Sequence, residues 1–236
     1  MASSAADGGT RGGTDPTSPR PRAAVVTLPA VGAGGGDGLD GTLTTLVAAA
    51  DEAAACDLPV VLAVAVETAP TAGTALVAHW QHLTAPLDAV TVLAVPVDAP
   101  GARRRATAAG LADPLTARLD PREVLVLTTT PGAVVGVDWI LAHARLAGTG
   151  ATAATAVVTA GDGGADRPGR PPRTQVHGAN MSVRADAYLA VGGFPAVDGD
   201  EDLQLWQALL QARHRLCHAL APAVTIRVPH PSPAPG

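Results

Sequence analysis

The sequence contains no lysine, few aromatic residues and only two cysteines. All 16 basic residues are arginine, and the net charge is -5. Cys56 and Cys217 are too far apart for a metal-binding spacing or a disulfide framework. The arginines are scattered and give no basic face that could follow a phosphate backbone. We therefore expect neither a cysteine-based metal site nor a nucleic-acid partner. The five aromatic residues are Trp80, Trp139, Trp206, Tyr188 and Phe194.

Long apolar runs are also missing. No segment has the roughly 18 uninterrupted apolar residues that span a bilayer, and the first 22 residues lack the apolar core of a secretory signal. We expect residues 1–22 to form a disordered tail and residues 229–236 a second, proline-rich tail. The part between them, residues 23–228, is of a length for one folded domain. These features predict a soluble, cytoplasmic protein.

From residue 23 onward, short β-rich runs alternate with alanine-rich stretches of helical length. This alternation is typical of repeated βαβ units and predicts an α/β fold, a single three-layer domain with a mostly parallel, Rossmann-like sheet. The predicted strands are 23–28, 60–66, 91–97, 123–129 and one from 151 onward. The predicted helices are 42–56, 73–83, 102–112, 139–147, 184–191 and 201–212. Residues 161–174 are rich in Gly, Pro, Asp and Arg and predict an irregular surface loop.

Two of the predicted helices have specific features. Asp138 is a candidate N-cap for the helix that begins at Trp139. In the helix that begins at Glu201, the apolar periodicity places Leu203, Trp206 and Leu210 on one stripe.

A block near the end of the chain has a distinctive order of residues. It reads HGANMSVRADAYLAVGGFPAVDGDEDLQLWQALLQARHR, from His177 to Arg215. The block resembles the acceptor-side segment of inverting family 2 glycosyltransferases of the GT-A type. In that family a G-A-N segment, an Arg-started helix and a G-G-F turn precede an E-D pair that opens a Trp-containing helix. The matching residues are Gly178, Asn180, Arg184, Gly192, Gly193, Phe194, Glu201, Asp202 and Trp206.

The resemblance implies transfer of a sugar from a nucleotide-sugar donor to an acceptor hydroxyl with inversion. Such a reaction needs a carboxylate that takes the proton of the attacking hydroxyl. Asp202 is the first choice and Glu201 the second. The alternative is that this acidic run only caps and charges the helix.

The resemblance also implies a substrate-binding role for five residues of the block. They are His177, Gly178, Asn180, Arg184 and Trp206. Simpler explanations exist for some of them, because a histidine before glycine is often an exposed turn residue, and Trp206 and Phe194 are most simply core residues. Gly192 and Gly193 are most simply a helix C-cap.

The donor-side half, 23–160, matches the same family less well than the acceptor half, 177–228. The segment from Thr128 to Trp139 resembles the one that carries the family's D-x-D motif, whose carboxylates hold Mg²⁺ or Mn²⁺ against the donor diphosphate. Here Thr130 and Gly132 occupy the two aspartate positions. We therefore expect this metal site to be missing or remade, and the sequence leaves open whether Asp138 or Asp162 supplies a ligand.

Three residues are implied as nucleotide-binding. Glu67 ends the second predicted strand and could contact the base or ribose, or it could be a solvated strand-end charge. Arg103, in the helix start GARRRATAAG, could reach the diphosphate, or it could belong to a basic solvent-facing helix. Thr130 occupies the first D-x-D position. Without a metal, the cations available to a diphosphate are Arg103 to Arg105 and Arg167, Arg170 and Arg173.

Two other hypotheses remain beside the active transferase. One is a catalytically silent relative that acts as a binding or scaffold protein, which the loss of both aspartates favours. The other is a dinucleotide-dependent oxidoreductase, in which residues 36–41, GDGLDG, form G-x-G-x-x-G and Glu67 accepts the ribose. That motif begins about eight residues after the first strand, too far for the tight turn that its mechanism requires. Binding of a nicotinamide cofactor would distinguish this class.

Overall fold

An eight-stranded sheet lies at the centre of the fold, with helices on both faces. A computed structural model describes residues 19–31, 38–69, 71–97, 101–160, 176–197 and 199–226. Within these ranges the strands are β1 (Ala23–Ala30), β2 (Val60–Glu67), β3 (Val90–Val97), β4 (Val124–Thr128), β5 (Ala133–Val135), β6 (Ala153–Ala160), β7 (Met181–Arg184) and β8 (Leu216–Ile226). The α-helices are α1 (Leu39–Ala55), α2 (Ala72–Thr84), α3 (Ala102–Ala112), α4 (Trp139–Gly148), α5 (Ala185–Ala190) and α6 (Glu201–Gln211), and a 3₁₀ turn covers Pro121–Glu123.

The strand order is β3-β2-β1-β4-β7-β6-β8-β5. β7 runs antiparallel to β4 and β6, and β5 runs antiparallel to β8, while the other neighbouring pairs are parallel. The six remaining strands therefore point the same way and end at one edge, which we call the carboxyl edge. Ligands of open α/β sheets bind outside this edge.

The two faces of the sheet are covered by different helices because side chains alternate along each strand. Val26 and Leu28 of β1 pack in a core shared with α1, α2 and α4, and Val25 packs on the opposite face, where α5 and α6 contribute. A Cβ on Gly110 of α3 would overlap Val25, so glycine lets α3 approach β1 closely. The result is the predicted three-layer α/β domain.

The predicted βα units up to α4 are confirmed to within a few residues at each end, and α3 matches the prediction fully. Asp138 is the residue before α4, but its side chain makes no capping hydrogen bond. The predicted fifth strand is β6. The sequence reading missed β5, β7 and β8, and the predicted helix 184–191 is only Ala185–Ala190, preceded by β7. β5 and β7 were missed because they are short and insert antiparallel into the sheet, and β8 was missed because its many exposed positions give no buried apolar run.

The predicted apolar stripe on α6 is confirmed for Trp206 and wrong for its two leucines. Leu203 and Leu210 are exposed, and the buried residues are Leu205, Trp206 and Leu209. The first turn of α6 turns Glu201 toward a contact with the rest of the domain. Residues four and eight positions further along a helix lie on the same face, so Leu205 and Leu209 follow Glu201 inward.

Several sequence predictions fall wholly or partly outside the described residues. They concern most of the tail 1–22, the loop 161–174 and the proline-rich tail 229–236. Residues 19–22 are described, and the Arg22 N–H donates to the Glu123 carbonyl at 2.7 Å. Across the described ranges, none of the helices combines the length and apolar character that crossing a membrane requires.

Candidate active site

Three of the matched residues of the acceptor block, Gly178, Glu201 and Asp202, meet at the carboxyl edge beside the end of β4. The turn before β7, residues 177–180, lies against Thr128 and against the first turns of α3 and α6. The site therefore joins elements that are far apart in sequence. Its centre is the backbone of Gly178.

Both the carbonyl and the N–H of Gly178 form hydrogen bonds to side chains. Its carbonyl accepts from Arg103 Nη1 at 2.7 Å and from Thr128 Oγ1 at 2.5 Å. Its N–H donates to the Asp202 carboxylate. A Cβ at this position would lie 2.9 Å from Arg103 Nη1, so a side chain here would push the guanidinium out of its present position. Gly178 thus ties the helix that carries Asp202 to β4 and α3.

Arg103 connects the two halves of the domain. Its Nε donates to Glu201 Oε1 at 2.7 Å, and its guanidinium lies 5.6 Å from the centre of the Phe194 ring. The side chains of Arg103 and Glu201 are only 9% and 17% exposed. The neighbouring Arg104 and Arg105 are exposed. The sequence alternative of a solvent-facing basic helix therefore describes Arg104 and Arg105 and is wrong for Arg103, whose partners draw it inward.

The two acidic residues of α6 have different surroundings. Glu201 is paired with Arg103, whereas Asp202 accepts from the Gly178 N–H and from the Leu203 N–H, the latter at 3.0 Å. Asp200 precedes the helix in the left-handed conformation, with φ 51°, and makes no side-chain cap. Both carboxylates therefore lie in the first helical turn, where the helix dipole stabilises negative charge.

Asn180 is fully buried and has all its side-chain hydrogen-bonding groups satisfied. Its Oδ1 accepts from Trp139 Nε1 and lies 2.9 Å from His143 Nε2, and its Nδ2 donates to the carbonyls of Val157 and Pro222. Because Oδ1 is an acceptor, His143 Nε2 carries the proton and Nδ1 accepts from the Ser182 hydroxyl at 2.8 Å. This network holds the end of the turn 177–180 against α4, β6 and β8.

The buried histidine makes the stability of the domain sensitive to acid. Burial lowers the pKa of His143 from 6.5 to about 4, and the hydrogen bond to Asn180 opposes the shift only in part. Between these values the unfolded chain binds a proton that the folded chain does not, so folding is favoured above pH 6.5 and loses stability as the pH falls toward 4.

We expect proton uptake by His143 in the unfolded chain to lower the unfolding free energy by about 3 kcal/mol between pH 6.5 and pH 4. Urea unfolding at several pH values measures it. His143→Gln, which has no titrating group, is the comparison variant and should lose less stability over the same range. Equal losses of unfolding free energy in the two proteins would mean that His143 is not the cause of the acid sensitivity.

Four other implied site residues lie in four different places. His177 is exposed on the turn, with its Nδ1 accepting from the Ala179 N–H at 3.1 Å, and Trp206 is a core residue packed 5.0 Å from the His218 ring. Glu67 ends β2 at the carboxyl edge, in register with Val97. The Arg184 side chain donates to the Asp186 carboxylate, and its backbone is in register with Leu125 of β4. That pairing is three residues from Thr128, about 10 Å along β4, so the structure does not bring Arg184 to the site.

The D-x-D positions do not offer a set of metal ligands. Thr130 has a hydroxyl and Gly132 has no side chain, and a carboxylate at Gly132 would require an unfavourable φ of 84°. The start of α1 packs here directly, since a Cβ on Gly38 would lie 2.9 Å from the Gly132 Cα. Among the described residues, no group of three His, Cys, Asp or Glu side chains could hold a metal ion.

Sequence reasoning missed His143, Ser182 and the role of Thr128. His143 follows Trp139 by four residues, so both face the same side of α4, and this spacing was the available signal. Ser182 and Thr128 are in short strands and carry no motif. Their importance depends on partners 39 and 50 residues away in the chain.

Comparisons with known proteins identify the fold. No family model and no curated protein matches the sequence. Among solved structures, the chain is similar to the mannosyltransferase PcManGT from Pyrobaculum calidifontis in complex with GDP-Man and Mn²⁺, at 16% identity and a TM-score of 0.58, over 90% of this chain and 59% of that one. The chain thus spans less than two thirds of that protein.

A second similar structure is glucosyl-3-phosphoglycerate synthase from Mycobacterium tuberculosis in complex with Mn²⁺, UDP and phosphoglyceric acid. The identity is 12% and the TM-score 0.53, over 91% of this chain and 72% of that one. The first complex holds GDP-Man and the second holds UDP, and both likenesses cover at least 90% of this chain. The chain therefore has the Rossmann-like GT-A fold that these structures share.

Proposed function

We propose that the protein transfers a sugar from a nucleotide-sugar donor to an acceptor hydroxyl with inversion, and that Asp202 is the general base. The observation that carries this proposal is the half-buried Asp202 carboxylate, which the Gly178 N–H holds at the carboxyl edge of a GT-A sheet. The similar structures hold GDP-mannose and UDP. Residues 23–160 would form the donor half and residues 177–228 the acceptor half.

The choice of Asp202 over Glu201 follows from their partners. Glu201 is bound to Arg103, so a proton taken up by Glu201 would leave a nearly buried guanidinium without its counter-charge. Among the described residues, the Asp202 carboxylate accepts hydrogen bonds only from backbone N–H groups. It can therefore take up a proton without breaking an ion pair. Glu201 is therefore a positioning residue in this proposal.

The proposed reaction needs only the donor, the acceptor hydroxyl and the Asp202 carboxylate. The acceptor oxygen gives its proton to an Asp202 carboxylate oxygen and forms a bond to the anomeric carbon from the face opposite the diphosphate. The bond between that carbon and the diphosphate oxygen breaks, and the nucleoside diphosphate leaves with the electron pair. Attack from the opposite face inverts the anomeric configuration.

The remaining residues divide into contact and positioning roles. We propose that the exposed His177 contacts substrate and that Glu67 and Thr130, at the carboxyl edge, contact the nucleotide. Asn180, Trp206 and Arg103 act by holding the turn and α6 in place, since their side chains are buried and engaged. Arg184, at the far end of β7, is assigned no substrate contact.

A silent binding protein is the second candidate function. The contact between Gly38 and Gly132 favours it, because the start of α1 occupies the place where carboxylates would hold a metal. Mg²⁺ or Mn²⁺ would neutralise the leaving diphosphate if ligands came from elsewhere. The two candidates differ in turnover, which is measurable.

The test is incubation of the protein with GDP- and UDP-linked sugars and a panel of hydroxyl acceptors, with and without Mn²⁺. We expect release of a nucleoside diphosphate that depends on the acceptor. NMR of the product should give the anomeric configuration opposite to that of the donor. A product that retains the donor configuration would overturn the inverting mechanism, and donor binding without turnover would favour the silent protein.

A further inference from the structure

A cavity lies at the edge of the sheet opposite the candidate active site, which we call the amino edge. Its volume is about 430 Å³, and it is bounded by the residues before β1, the residues before β2 and the last turns of α4. Small-molecule ligands occupy cavities of a few hundred Å³. The eight residues of β1 separate this cavity from the carboxyl edge by about 25 Å. A ligand here would therefore occupy a second site.

The floor of the cavity is apolar and continuous with the core. Leu58 is buried, and Leu141 and Ala144 of α4 pack against the same core cluster. Leu141, Ala144 and Gly148 follow one another at spacings of three and four residues, so they lie on one face of the helix. A Cβ on Gly148 would meet nothing within 4 Å outside its own stretch of helix. The cavity therefore has room for the apolar part of a ligand.

The lining of the cavity also carries charge. It includes the guanidinium groups of Arg20 and Arg145 and the carboxylate of Asp57. Within the described part of the chain, none of these three side chains forms an ion pair or a hydrogen bond. Two positive charges therefore face one negative charge, although the whole protein has a net charge of -5. Guanidinium groups form strong hydrogen bonds with acid groups, so the lining favours an anion.

The helices that end at the cavity do not reverse this preference. Several of the last carbonyls of α1 accept from the N–H groups of Cys56, Asp57 and Leu58, and several of those of α4 accept from Thr149 and Gly150. The partial negative charge of a helix C-terminus lies on carbonyls without a partner, so these hydrogen bonds reduce it. The Asp57 carboxylate does oppose an anion, and it gives the test a group of opposite sign.

We propose that this cavity binds a small anion with an apolar body. The acid group lies at Arg20 and Arg145, and the apolar part lies on the α4 face that contains Leu141, Ala144 and Gly148. The site shares no residue with the candidate active site at the carboxyl edge. Its occupancy can therefore be measured without knowledge of the sugar donor or the acceptor, and its failure would leave the proposed function untouched.

The probe is anilinonaphthalene sulfonate, which joins an acid group to an apolar ring system and becomes fluorescent in an apolar site. We expect the whole folded chain to bind it in a fluorescence titration. Arg145→Gln should bind the probe about tenfold more weakly, because a charge-assisted hydrogen bond is lost. Asp57→Asn should bind it about threefold more tightly, because a negative charge is removed and asparagine tolerates the φ of 60°.

Arg118→Gln is the matched control. Arg118 is as exposed as Arg145 but does not line the cavity, so its loss changes the net charge of the protein by the same amount. The probe affinity of this variant should equal that of the unmodified protein.

The two cysteines report where the probe binds. Cys56 lines the cavity and is exposed, whereas Cys217 lies in β8, outside the lining. At about ten times its Kd, the probe should slow alkylation of Cys56 by iodoacetamide about tenfold. Alkylation of Cys217 should not change, and peptide mass spectrometry measures both rates.

Gly148→Leu fills the open space beside α4 and should abolish both the fluorescence and the protection of Cys56. The variant should remain folded, because leucine is a better helix former than glycine.

Four results would overturn the proposal. They are no binding of the probe, equal affinities in Arg145→Gln and Arg118→Gln, alkylation of Cys56 that the probe does not slow, and binding that survives Gly148→Leu. The last result would place the probe on apolar surface elsewhere, such as the exposed Leu220.

Discussion

Replacing Asp202 with asparagine is expected to lower the rate of sugar transfer by about 10²–10⁴-fold, the usual contribution of a general base. Asparagine keeps the size of the side chain and can still accept from the Gly178 N–H through its carbonyl oxygen. It cannot take the proton of the acceptor hydroxyl. The affinity for the donor should therefore change by less than about threefold, since binding does not use the proton transfer.

The adjacent Asp200 provides a matched control. Asp200→Asn removes the same charge two residues away, at a position with φ 51° that asparagine tolerates. Transfer by this variant should stay within about threefold of the unmodified protein. Equal losses in Asp202→Asn and Asp200→Asn would mean that the charge of the segment matters and that Asp202 is not the base.

Replacing Arg103 with methionine is expected to reduce the unfolding free energy by about 3–5 kcal/mol, as for other broken buried ion pairs. The substitution leaves Glu201, only 17% exposed, without its cation, and it removes a donor from the Gly178 carbonyl. It also removes the contact with the Phe194 ring. Urea unfolding at pH 7 measures the change.

A double-mutant cycle separates the ion pair from the loss of packing. If the unpaired carboxylate is the main cost, adding Glu201→Gln to Arg103→Met should restore part of the stability. Arg122→Ala, which removes an exposed pair with Asp120 at 2.7 Å, should cost far less stability than Arg103→Met. A similar small cost for Arg103→Met would contradict the description of Arg103 as the link between the two halves.

The sequence was sufficient to predict the parallel part of the fold. Strands such as Val60–Glu67 are buried on both faces and read as continuous apolar runs between helices of clear periodicity. β7 has only four residues, and β8 has many exposed positions and contains Pro222. Their pairing depends on contacts with β4 and β6, so no local pattern revealed them.

The candidate site was predictable only where a motif carried it. Gly178 and Asp202 could be singled out because both match the same sequence block. The structure joins them through a hydrogen bond. Arg103 is 75 residues from Gly178 and 98 from Glu201, so its partners could not be read from spacing. The motif singled out Asn180 as a substrate-binding residue, and only the structure shows that its side chain belongs to a buried network with Trp139.

The most direct test of the transferase account is a calorimetric titration of the unmodified protein with GDP-mannose, UDP-glucose and their free nucleotides, each in Mn²⁺ and in EDTA. We predict that one nucleotide series binds, both as the free nucleotide and as its sugar conjugate. Binding in EDTA would show that the donor is held without a divalent metal. No binding of any nucleotide under either condition would contradict the account and leave a GT-A fold whose function is not sugar transfer.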